Sequence, residues 1–80
     1  MIDHAFAQLL RQTREEKKLS QEAFASIVGL HRTYVSQLER GVKSPSLRTL
    51  YKISQGLNIK LSALFSRLDE SMSHVVSDRE

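Results

Sequence analysis

The stretch QEAFASIVGLHRTYVSQLER, Gln21 to Arg40, decides how this chain is read, because it sets two helix signals around one glycine within twenty residues. Ser20 stands just before it and suits an N-cap, its hydroxyl free to accept an orphan backbone N–H. Leu19 before that cap and Phe24 after it have the spacing of a hydrophobic staple. Phe24, Ile27 and Val28 fall on one helical face, which predicts a buried side for a helix over Gln21–Val28. Gly29 can enter the left-handed conformation that ends a helix without steric cost. A second helix, Arg32 to Arg40, follows with Val35 and Leu38 as its apolar anchors and Gly41 as its stop. Ala25 is small where the second helix must cross the first closely. Helix, glycine turn and helix at this spacing form the outline of a helix-turn-helix.

At about 100° per residue, Arg32, Ser36, Arg40, Thr33 and Gln37 fall in a single polar arc of the second helix. Tyr34, Val35 and Leu38 occupy the opposite side, so the helix is pinned there and presents hydrogen-bonding side chains outward. Any solvated helix face is polar, and polarity alone says little. Composition says more: Arg, Thr, Ser and Gln can bind phosphates or base edges, and no carboxylate within this arc repels a polyanion.

Three further helices complete the pattern outward from this unit. The first spans about His4 to Lys17, with Phe6, Leu9, Leu10, Thr13 and Arg14 on one face. Past the only Pro-containing turn, VKSPS, a fourth helix starts at the candidate cap Ser46. Leu47, Leu50 and Tyr51 are its expected apolar stripe, and Gly56 with Leu57 its Schellman-type stop. The fifth covers about Leu61 to Ser71, with Leu61, Leu64, Phe65, Leu68 and Met72 toward one side. Period-two alternation is absent, so an all-α domain of five short helices is the expected fold. One domain over residues 1–80 is expected, its core approximately residues 6–68 and a frayed acidic tail over 73–80.

The 80 residues suffice for one core and not for two lobes around a deep cleft. Without cysteine there is no disulfide, thiolate nucleophile or zinc–sulfur site. Net charge is +3, but Met1–Ser66 holds ten basic and five acidic residues while Arg67–Glu80 holds two and four. A basic body favours a polyanionic partner. Apolar runs are too short for a membrane helix, and the start, MIDHAFAQLLRQ, lacks the basic and apolar regions of a signal peptide. The cytoplasm is the expected location, with no membrane partner.

The motifs LRQTREEKKLSQEAFA, VGLHRTYVSQLERG and SPSLRTLYKISQGLNI, in this order and spacing, resemble the lambda-repressor and Cro helix-turn-helix proteins, often called the XRE family, over approximately Phe6 to Leu68. That resemblance implies a compact five-helix domain whose third helix enters the DNA major groove, two subunits sharing a palindromic operator. It also implies roles for individual residues. Arg32, Thr33, Ser36 and Gln37 would read bases or contact both bases and phosphates. Gln21, Lys43, Ser44 and Arg48 would bind phosphates, with Tyr34 and Arg40 as additional DNA contacts. Arg14 and Glu39 match an ion pair beneath the motif. His31 and Lys60 depart from the pattern, since relatives more often place a hydroxyl or carboxylate cap at these positions. By the same resemblance the chain would be a dimeric transcriptional regulator, a repressor or autoregulator.

Other chemistries have little support. His4, His31 and His74 lack metal-ligand spacing, and Glu15 and Glu16 diverge around a helix, a poor acid–base pair. No serine sits in a nucleophile elbow and no glycine in a phosphate loop. The sequence therefore indicates neither an enzyme nor a metal or other cofactor. The competing reading is a protein-interaction module, such as an antitoxin-like partner, using the acidic tail or helix five. Phe65, Leu68 and Met72 are the candidate positions for a seam between two copies.

Overall fold

A computed structural model describes the backbone of residues 2–79 and the side chains of residues 2–73. Five α-helices follow in order: α1 Ile2–Glu16, α2 Gln21–Val28, α3 Arg32–Glu39, α4 Leu47–Gly56 and α5 Leu61–Arg79. Helix α3 lies against α1 and α2, α2 also packs on α4, and α5 closes the core against α1 and α4. Phe24, Val35, Leu38 and Ile53 are fully buried at its centre. Leu10, Val28, Leu57 and Leu64 join the same core, so one apolar cluster ties all five helices together.

The local signals of the central unit act as the sequence implies. Ser20 accepts the Ala23 N–H at 3.0 Å and caps α2. Gly29 adopts φ +76°, and the next residue, Leu30, returns its N–H to Ala25 at 2.9 Å. Gly41 makes the same left-handed exit after α3, at φ +73°. His31 precedes α3 without a side-chain cap bond, in keeping with its departure from the family pattern. The inward face of α1 is also as read: Phe6, Leu9, Leu10, Thr13 and Arg14 are all buried.

Four expectations are corrected. Leu47 is 71% and Tyr51 53% exposed; α4 instead turns Thr49, Ile53 and Ser54 inward, with Leu50 half-buried. Small hydroxyl side chains can hide in a core when their bonds are made internally, as Ser54 does by donating to the Tyr51 carbonyl at 2.8 Å. Ile27 is half exposed because Phe24, Ala25 and Val28 already fill the inward arc of the short α2. Gly56 lies inside α4 and does not form its left-handed stop; Asn58, at φ +57°, takes that conformation. The glycine is needed for space, since a Cβ there would stand 2.6 Å from Val28 Cγ1 and 2.8 Å from Val28 Cα. Leu68, finally, is 9% exposed and belongs to the domain's own core, which withdraws it from the expected seam.

The backbone of α5 continues to Arg79, whereas the sequence reading ends it near Ser71. No glycine or proline follows Gly56 to break it. The expectations for His74 and for the side chains of the acidic tail lie outside the described residues.

Candidate nucleic-acid interface

The interface is built on α3, and its support begins one layer below. Val35 and Leu38 are fully buried, fixing the rotation of α3 about its axis. Arg32, Thr33 and Arg40 are then exposed, and Ser36 and Gln37 half-exposed, along the polar arc. Lys43 and Arg48, in the α3–α4 connection and the first turn of α4, are exposed as well. Both base-reading and phosphate-binding candidates thus stand on the segments from α3 to the start of α4, apart from Gln21 at the start of α2.

Beneath this surface Arg14 and Glu39 form a two-pronged ion pair. Arg14 Nε donates to Glu39 Oε2 at 2.6 Å and Nη2 to Oε1 at 3.0 Å. The remaining nitrogen, Nη1, donates to the Leu19 carbonyl at 2.7 Å. The Glu39 side chain is 1% exposed and that of Arg14 11%. Its hydrogen bonds to Glu39 hold the Arg14 guanidinium above the usual arginine range, outweighing the opposing effect of burial. A planar fork facing a carboxylate suits such a pair. By clamping α1 to the end of α3 and to the loop before α2, it fixes α3 to the body.

Gln21 is drawn into this network, its Nε2 donating to Glu39 Oε1 at 3.0 Å. A primary amide carries two N–H groups, so one is left for a phosphate. Ser44 differs. Its hydroxyl donates to Asp3 Oδ1 at 2.5 Å, so the single proton it could give a phosphate is committed to α1. Tyr34 is half-buried, and its hydroxyl lies 3.1 Å from Thr49 Oγ1.

The sequence reading missed Asp3 and Thr49. Nothing local marks Asp3, which meets a residue 41 positions away. Thr49 carried a readable signal, the third residue after a serine cap, where a side chain reaches back to the start of the helix. On α5, Phe65 is 38% exposed and Met72 packs partly against the core. Among the described residues no cluster of three or more His, Asp or Glu could hold a metal ion, and no helix is long and apolar enough to cross a membrane.

The helix-turn-helix family profile HTH_3 matches residues 10–64 of this chain. Control protein C.MunI of Mycoplasma sp is 48% identical over 66 residues, covering 81% of this chain and 89% of that protein. Among solved structures, the restriction-modification controller protein C.AhdI from Aeromonas hydrophila superposes with a TM-score of 0.72 at 40% identity, covering 78% of this chain and 94% of that one. The wild-type controller C.Esp1396I gives a TM-score of 0.82 at 26% identity, covering 90% and 92%. The chain therefore belongs to the HTH_3 helix-turn-helix family of Cro/CI-like DNA-binding transcriptional regulators, a family without catalytic function.

Proposed function

We propose that this chain is a dimeric, sequence-specific regulator that occupies a palindromic operator in the cytoplasm and governs a restriction–modification gene set. The observation that carries the reading is the polar arc of α3, exposed and free of carboxylates, on a helix whose opposite side is fully buried. Arg32, Thr33, Ser36 and Gln37 read base edges in the major groove, Arg by a bidentate bond to guanine and Gln by one to adenine. Lys43, Arg48, Gln21 and Arg40 hold phosphates and set the register, contributing affinity that falls with salt. The kind of target follows from the control proteins and restriction-modification controllers that this chain resembles.

One copy presents one recognition helix. Two copies are needed to place such helices in successive major grooves, about 34–36 Å apart. Phe65 and Met72 on α5 are the seam positions this reading retains. Occupancy then depends steeply on the concentration of the protein itself, because dimerisation and operator binding are linked by mass action. Selection from a random duplex pool with the purified chain tests the reading. It predicts an enriched motif with two-fold symmetry, bound at least about a thousandfold more tightly than a scrambled duplex, the low end of the usual specific-to-nonspecific ratio of about 10³–10⁷.

A further inference from the structure

Three hydroxyl groups connect the recognition helix to the start of α4. Ser46 Oγ accepts the Thr49 backbone N–H at 3.0 Å and donates its own proton to Thr49 Oγ1, also at 3.0 Å. Thr49 Oγ1 in turn lies 3.1 Å from the hydroxyl of Tyr34, in the first turn of α3. Thr49 is 7% exposed, so its hydroxyl proton needs an acceptor inside the protein. The Tyr34 oxygen is that acceptor. A hydroxyl has a single hydrogen to give. If Tyr34 donated to Thr49 instead, Thr49 would accept two bonds and its own proton would be stranded in the core.

The order of donation therefore runs from Ser46 to Thr49 to Tyr34, and the phenolic proton of the half-buried Tyr34 is the one left over. We propose that Thr49 is a positioning residue for DNA binding: its buried hydroxyl fixes Tyr34 as a hydrogen-bond donor toward a DNA phosphate, a group that only accepts. The inference rests on the operator reading above and adds to it a residue that acts through Tyr34. It also explains why a polar side chain occupies the third position of α4, facing the core, where a valine would fill the same volume.

The test is a fluorescence-anisotropy titration of the selected operator with the full chain, comparing wild type, Tyr34→Phe, Thr49→Val, the double variant and Thr49→Ser, with thermal melts of each. Tyr34→Phe and Thr49→Val should each weaken binding by about three- to tenfold, the effect of one neutral hydrogen bond. The double variant should bind no more weakly than either single one, and Thr49→Ser should stay within about twofold of wild type, on the same basis. Losses that multiply in the double variant overturn the proposal, as does a Thr49→Ser variant as weak as Thr49→Val. Should the valine prevent folding, Thr49→Ala takes its place in the same cycle, with the same outcomes. If wild type discriminates the operator and the hydroxyl-free variant matches it, only the role of Thr49 falls. If wild type discriminates no duplex, the operator reading falls and this inference with it.

Discussion

Replacing Arg14 by Met should cost this domain a large part of its stability. The carboxylate of Glu39, 1% exposed, loses two charge-assisted bonds and keeps the amide of Gln21 and a longer, 3.9 Å approach of the exposed Arg11 guanidinium. The Leu19 carbonyl loses its partner at the same time. Breaking a buried pair from one side costs about 3–5 kcal/mol. An 80-residue domain has roughly 4–12 kcal/mol in all. Glu39→Met should fall in the same range at its lower end, because the Arg14 side chain is less deeply buried and keeps its bond to Leu19. Arg14→Met combined with Glu39→Met leaves no charge behind, only the Leu19 carbonyl and the Gln21 amide without partners, at about 1 kcal/mol each. The double variant should therefore be about 1–3 kcal/mol less stable than wild type, well short of the sum of the single losses. Urea denaturation followed by circular dichroism measures all four proteins. Additive losses, or single losses below about 1 kcal/mol as for an exposed pair, would refute a buried, coupled clamp.

Gly56→Ala should destabilise by about 1–3 kcal/mol through overpacking against Val28, and Val28→Ala in the same chain should restore part of that loss; thermal melts of the three variants decide it. Lys43→Ala and Arg48→Ala should each weaken operator and scrambled duplex alike and reduce the slope of log K against log salt by about 0.9, read from titrations at several salt concentrations. Phe65→Glu should raise the dimer dissociation constant in analytical ultracentrifugation while leaving the helical signal intact. Leu68→Glu should unfold the chain instead, because Leu68 is a core residue.

How far the sequence could be read differs between elements for physical reasons. The face of α1 was legible because long apolar side chains repeat there at helical spacing, and the central unit because Ser20, Gly29 and Gly41 perform local tasks that depend on neighbouring backbone alone. Helix α4 was misread because its inward face includes Thr49 and Ser54, whose polarity is satisfied by partners that hydropathy cannot reveal. Its outward face, conversely, carries Leu47 and Tyr51, which an apolar count assigns to the core. Gly56 shows a related confusion. Its position near a helix end suggests a conformational role, yet the close approach of Val28, distant in sequence, is what requires it. At the interface, residue types on the α3 arc were visible in the sequence, but the commitment of Ser44 to Asp3 and of Gln21 to Glu39 arises only when α1, α2 and α3 are brought together.

The claim that the exposed arc of α3 reads DNA sequence is tested most directly by position-resolved base preference. Duplex pools are selected with wild type and with Arg32→Ala, and the preferences are compared base pair by base pair. Loss of a good bidentate contact is worth about 1–3 kcal/mol of discrimination at the base pair it reads. The account predicts that Arg32→Ala relaxes preference at one symmetry-related pair of positions and leaves the rest of the motif unchanged. A uniform loss of affinity with an unaltered motif, at unchanged folding, would contradict it.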